Sequence, residues 1–251
     1  MSGHSKWATT KHKKAATDKA RGKLFAKLIR QIEVAAREGG SDVEANATLR
    51  TMVQKARDSS VPVETIERAV KRGTGELEGV QYEALAYEGY APLGVALYVE
   101  CLTDNRNRTG AEVRNLFSRN GGSIAEPGAV AWQFRRKGVA IVDKTPGIEE
   151  DDVILAAVEA GAEDFADQGD SWQVTCEGTV LSAVRSALEE AGAHLASAEL
   201  TMLPSTAVPL ETEGDARKVL RLVDALEDHD DVQNVYANFD IPDEVLKAVV
   251  E

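Results

Sequence analysis

Cysteine is nearly absent from this chain. Only Cys101 and Cys176 occur in 251 residues, far apart, which excludes a disulfide framework and a thiolate zinc cluster. Two sparse thiols suit a reducing cytosol, so a cytoplasmic protein is expected. Histidine is scarce too, with four copies at positions 4, 12, 194 and 229. His4 and His12 have no carboxylate or thiol at ligand spacing, and the four do not assemble into a coherent site. Neither a nucleophile–base pair nor a cofactor loop is visible. The expectation is therefore a protein that is not an enzyme, with no catalytic residues, no metal, no cofactor and no small-molecule substrate. No apolar run approaches the roughly 18 residues that span a bilayer. The N-terminal stretch also lacks the apolar segment of a secretory signal, so neither membrane nor export is expected.

Positive charge is in overall deficit, with 29 Lys and Arg against 42 Asp and Glu, a net of −13. What there is of it is concentrated at one end. Met1–Arg37 holds ten Lys or Arg and two acids (Asp18 and Glu33), a net of +8, so the remaining residues carry −21. By segment, residues 1–76 carry +7, residues 77–138 carry 0 and residues 139–251 carry −20. A basic head points to a polyanion, and an acidic half of this size keeps that polyanion to the first half. The same −20 also serves solubility by itself.

Residues 2–14 have little apolar periodicity and read as an arm able to order on a partner. Trp7, among Lys6, Lys11, Lys13 and Lys14, can stack on a base or pack on the helices behind it. Residues 18–37 predict a helix at 100° per residue. Phe25, Leu28, Ile29, Ile32 and Ala36 share one side; Lys19, Lys23, Lys27, Arg30 and Arg37 share the other. Two further helices, about 43–58 and 62–72, supply partners for the apolar face, the second with Pro62 in its first turn. Arg68, Lys71 and Arg72 add positive charge there and complement that helix's dipole. Gly73-Thr74-Gly75 follows a helix rather than a strand and lacks a Lys-Ser/Thr ending, so it is a cap and linker and not a phosphate loop.

Beyond Tyr82 the period becomes that of strands. Residues 82–90 and 94–102 predict a strand pair, and Ala129–Phe134 a further strand. Thr109-Gly-Ala-Glu112 matches a capping box and predicts a helix from Thr109 to about Arg119. Arg106 and Arg108 then stand at a helix N-terminus, where anions are favoured; as a polar turn they would instead pair with Asp104 and Glu100. Residues 139–203 spell βαββαβ, the ferredoxin-like order. Strand 206–210, helix 214–228, strand 232–238 and helix 243–249 complete a second α/β unit. Expected domains are 1–77 (basic and helical, with an arm), a discontinuous 78–137 plus 204–251, and an inserted acidic 138–203; the pattern also permits two consecutive domains. The acid runs Glu149–Asp152 and Asp228–Asp231 lack calcium-loop spacing and read as helix-end charge and a solvated turn.

Several long blocks together resemble one family. GHSKWATTKHKKAATDKARGKLFAKLIRQI, IERAVKRGTGE, YEGYAPLGVALYVECLTDNRNRTGAEVRNLFSRNGG and VAWQF are similar to the YebC family, over essentially the whole chain. The resemblance implies a bacterial cytoplasmic transcriptional regulator, related to a mitochondrial activator of cytochrome c oxidase translation. It also implies an α+β fold, with a three-helix N-terminal domain followed by two ferredoxin-like domains, one inserted in the other. Pro62-Val63-Glu64 and Ala91-Pro92-Leu93-Gly94 depart from the family's usual residues at those turns. The expected nucleic-acid contacts are Lys6, Trp7, Lys11, Lys13, Lys14, Lys19, Lys23, Lys27, Arg30, Arg72, Arg106 and Arg108. Their target stays open between DNA and ribosomal or transfer RNA, the latter in a translation factor that assists difficult sequences such as proline runs. An acidic module docking a basic protein is the competing class.

Overall fold

The computed structural model describes residues 18–250. The fold is α+β, a three-helix region followed by two antiparallel four-stranded sheets with helices. The helical region comprises α1 (Asp18–Gly39), α2 (Ala47–Asp58) and α3 (Val63–Gly73). The chain continues through β1 (Glu83–Tyr90), β2 (Ala96–Thr103), α4 (Arg106–Arg119) and the two-residue β3 (Ser123–Ile124). Next come β4 (Phe134–Asp143), α5 (Glu150–Glu159), β5 (Ala162–Asp167), β6 (Ser171–Cys176), α6 (Leu181–Glu190) and β7 (His194–Pro204). The last elements are β8 (Val208–Pro209), α7 (Glu213–Glu227), β9 (Val232–Ala237), β10 (Phe239–Asp240) and α8 (Asp243–Val250). Among the described residues no helix is long and apolar enough to cross a membrane.

Two compact units result. One is Trp132–Ala207; the other joins the residues up to Ala131 with those from Val208 onward. In the second unit, the predicted apolar face of α1 packs as its periodicity requires. Leu28, Ile32 and Ala36 are buried against Leu49, Val53 and Ala56 of α2 and Ile66 and Ala69 of α3, with Phe25 and Ile29 at the margin. α2 starts at Ala47 and not near residue 43, because Asn46 is its N-cap. The Asn46 Oδ1 accepts from Leu49 N (3.0 Å), while its Nδ2 donates to Ala35 O (2.8 Å) and Gly40 O (3.0 Å). One buried amide thus ends α1 and begins α2. α1 and α3 approach so closely that a Cβ on Gly73 would lie 2.4 Å from Glu33 O.

The sheet of this unit has the order β3-β1-β2-β9, with β1 and β2 paired along their full length. β9 reaches its place beside β2 only after the whole of Trp132–Ala207 has intervened. Leu97, Val99 and Cys101 of β2 point to one face, as a two-residue period demands. There they meet Val113 and Phe117 of α4 and Val219, Leu222, Val223 and Leu226 of α7. Burial pushes the Cys101 thiol up to about 12, with the nearby Asp231 charge adding to the effect.

Two expectations fail here, for definite reasons. Ala129–Phe134 is not a strand; a 3-10 turn covers Ala131–Gln133, and β4 starts at Phe134 in the other unit's sheet. The buried Glu88 carboxylate collects the N–H groups of Gly128 (2.6 Å), Val130 (2.7 Å) and Ala131 (2.8 Å), donors that a strand ladder would have needed. Nor does α4 start at Thr109. Asn105 is the cap, its side chain accepting from Arg108 N at 3.1 Å, which leaves Thr109 inside the helix and fully buried.

Trp132–Ala207 forms its own sheet, in the order β5-β6-β4-β7 with antiparallel neighbours throughout. With α5 and α6 as the crossovers, this is the ferredoxin-like arrangement. Val153 and Ala157 of α5 and Val184 and Leu188 of α6 pack on Ala140, Val142, Trp172, Val174 and Cys176. Cys176 lies buried in this core, its thiol also raised above the ordinary value by burial.

Candidate nucleic-acid interface

Lys23, Lys27 and Arg30 follow one another at spacings of four and three, so they lie along one stripe of α1. That stripe meets the C-terminal end of α7. The Lys23 Nζ donates to the Asp228 carbonyl (2.9 Å) and carboxylate (3.0 Å), and the Lys27 Nζ to the Glu227 carbonyl (2.7 Å). Arg30 Nη1 donates to the Asp230 carbonyl (2.6 Å) and the Asp231 carboxylate (3.3 Å). The last carbonyls of a helix have no donor within it and carry its negative dipole end. Lys27 and Lys23 answer that need at Glu227 and at the C-cap Asp228, and Arg30 bonds the turn just beyond. Arg30 also lies over the Tyr82 ring, 5.5 Å from its centroid.

The expected solvated turn, Asp228–Asp231, is in fact the hub of this contact. Asp231 is 5% exposed. Its Oδ2 accepts from Thr109 Oγ1 (2.7 Å), Arg108 Nη2 (2.8 Å) and Thr103 Oγ1 (3.2 Å), and its Oδ1 accepts from Arg30. Burial alone would raise its pKa, but the bonds from Arg108, Thr109 and Thr103 hold it below the ordinary aspartate value. The Arg108 guanidinium is raised in turn by Asp231 and Asp104. A cleft of 710 Å³ opens here, lined by Lys23, Arg30, Tyr82, Asp104, Arg108, Glu112, Asp228, His229, Asp230 and Asp231. Three cations against five carboxylates make it a poor anion well.

Glu112, His229 and Asp231 place one ligand-type atom each within 4.8 Å of the others. His229 and Asp231 are already engaged by bonds within the site. His229 Nδ1 accepts from Asp231 N (3.1 Å), which leaves the proton on Nε2 for Glu112 Oε2 (2.8 Å), while Asp231 already takes four donors. The trio is an internal network.

The other predicted contacts divide. Arg72 places Nε (2.6 Å) and Nη2 (2.5 Å) on Glu33 Oε1, a carboxylate buried between α1 and α3. Arg106 is exposed and pairs with Glu83 at 3.1 Å, a surface contact that a phosphate can displace. Of the two partners weighed for Arg106 and Arg108, Asp104 is correct for Arg108 (2.8 Å), while Arg106 takes neither and Glu100 accepts instead from Asn234 and Tyr236. Lys6, Trp7, Lys11, Lys13 and Lys14 lie outside the described residues, as does the Lys19 side chain. Arg21, Arg57, Arg68, Lys71, Arg114 and Arg119 are exposed. Asp231 was missed in sequence because acids beyond a helix end look alike whether solvated or buried; the available signal was Thr103 and Thr109 flanking Arg108.

Comparison with known proteins gives one consistent result. Residues 5–76 match the family profile described as TACO1/YebC protein N-terminal domain, and residues 82–239 match TACO1/YebC second and third domain. A probable transcriptional regulatory protein of Thermobifida fusca is 61% identical over 250 residues, covering 99% of this chain and all of that one. One from Mycobacterium tuberculosis is 59% identical, covering 99% of each. The crystal structure of a conserved hypothetical protein from Aquifex aeolicus is similar at a TM-score of 0.81 and 45% identity, over 91% of this chain and 94% of that one.

Proposed function

Because this chain belongs to the TACO1/YebC family, we propose that it is a non-enzymatic cytoplasmic regulator of gene expression that binds DNA through its basic N-terminal domain. The names of its relatives support the regulatory role. The observation that carries the nucleic-acid reading is the charge of Met1–Arg37, ten Lys and Arg against two acids in an acidic protein. Lys23, Lys27, Arg30 and Arg72 are committed to internal partners. The phosphate contacts therefore fall to Lys6, Lys11, Lys13, Lys14 and Lys19, with Arg106 as an outlying anchor and Trp7 as a stacking ring. Residues 1–77 hold the polyanion, while the acidic parts of 78–251 limit where it can lie.

Structured RNA, including that of the ribosome, is the second reading. α1 turns its Lys23–Arg30 stripe onto α7 and offers no set of Asn, Gln and Arg for base edges, which suits a shape-and-phosphate reader.

Fluorescence anisotropy with a labelled duplex DNA and a labelled RNA hairpin, titrated across salt, is the test. Neutralising about five phosphates predicts a slope of log affinity on log salt of roughly −4 to −5. Lys11→Glu/Lys13→Glu/Lys14→Glu should flatten that slope by about three. A slope near zero on both probes refutes nucleic-acid binding; binding of the hairpin alone moves the target to RNA.

A further inference from the structure

We infer that α5 carries a docking surface for a basic, amphipathic protein helix, separate from the nucleic-acid interface. The helix reads EDDVILAAVE, with six consecutive apolar residues from Val153 to Val158. Val153 and Ala157 are buried in the core of the Trp132–Ala207 unit. Leu155 is 59% exposed and Val158 60% exposed, while Ile154 is half-buried. Leu155 and Val158 stand three apart and so share one outward stripe. α5 thus carries apolar side chains outside its core face as well as on it. Single exposed leucines are ordinary; an adjacent apolar pair on a ten-residue helix is a contact stripe.

Charge identifies the occupant. Asp151, Asp152 and Glu159 flank the stripe and are exposed, and α5 has no basic residue. Residues 132–207 as a whole hold five Lys or Arg and fourteen Asp or Glu, a net of −9. Nucleic acid is repelled from such a face, and a second copy would set the same carboxylates against each other. A helix with Leu, Ile or Val on one side and Lys or Arg around it meets both requirements, apolar in the centre and charged at the rim.

The test uses the full chain and a fluorescein-labelled 14-residue Leu/Lys peptide with leucines at helical spacing, followed by anisotropy at 0.15 M salt. Leu155→Ser/Val158→Ser should weaken binding roughly tenfold, since two exposed apolar contacts are lost. Both positions are exposed, so an unchanged thermal melt is expected to accompany that loss. Asp151→Asn/Asp152→Asn/Glu159→Gln should weaken binding and flatten its salt dependence, whereas Glu64→Gln/Glu67→Gln on α3 should leave it unchanged. The inference is overturned by no binding, by binding indifferent to Leu155 and Val158, or by equal loss in the α3 control, which marks unspecific charge attraction. It is overturned equally if sedimentation shows self-association that Leu155→Ser/Val158→Ser abolishes, since the occupant is then a second copy.

Discussion

Replacing Asp231 by alanine should destabilise the unit that contains it by about 3–4 kcal/mol, the lower part of the range for removing one partner of a buried charge pair. The structure sets the figure. The carboxylate is buried and accepts two guanidinium and two hydroxyl bonds. Arg108 is partly exposed and rehydrates when its partner goes, which removes part of the penalty. Thr109 retains Asn105 O (3.1 Å) and Thr103 Oγ1 (2.8 Å), so it is not orphaned. Arg30 is largely covered but keeps the Asp230 carbonyl (2.6 Å), so the main loss is the charge-assisted bonds themselves, at roughly 1.5–3 kcal/mol each before compensation. In a unit of this size, that corresponds to a fall in Tm of about 6–16 °C. Two units imply two transitions, so urea unfolding should be followed by a probe confined to this one, and the insert's transition should not move.

The control is Asp228→Ala, three residues away. Its side chain is 78% exposed, and Lys23 retains the Asp228 backbone carbonyl, so the change should stay within about 0.5 kcal/mol. Acidification supplies a second check. Because Asp231 is depressed in the folded state, its contribution is complete above the unfolded pKa of about 4 and is lost as pH falls through the folded value. The difference between wild type and Asp231→Ala should therefore shrink below about pH 4. Equal effects at positions 228 and 231, or a loss under 1 kcal/mol at 231, would refute the view of this turn as a buried hub.

Gly89→Ala should cost about 2–3 kcal/mol in urea melts, because its Cβ would lie 2.6 Å from both Phe117 Cε1 and Ser123 O. Glu88→Gln should cost about 2 kcal/mol at neutral pH, since an amide NH2 then faces backbone N–H donors. Although burial raises the Glu88 pKa, those three N–H groups bring it below the ordinary value, so this cost too should fade only as pH drops below about 4.

Much of the fold was legible before the structure. A 3.6-residue period marked the core side of α1, and the βαββαβ order marked the ferredoxin-like unit, because both patterns follow directly from burial on one face. The partners of polar residues were far less legible. Thr109-x-x-Glu112 satisfies the local rule for a capping box, yet Asn105 caps the helix and the Thr109 hydroxyl serves Asp231, over a hundred residues away. The cations opposite the core face of α1 looked available to phosphate for the same reason. Periodicity reveals which side of a helix avoids the apolar core; it is silent on whether another helix's carbonyl end awaits that side.

The two thiols make a pair of internal clocks. A cysteine reacts as its thiolate, and Cys101 lies in the β2 core with its pKa pushed up to about 12, while Cys176 lies in the insert core. Native protein should thus be almost inert to a thiol reagent, and each labelling event counts one opening of the surrounding structure. Since each compact unit holds one of them, peptide mapping of the modified chain separates the two opening rates without introducing a single substitution.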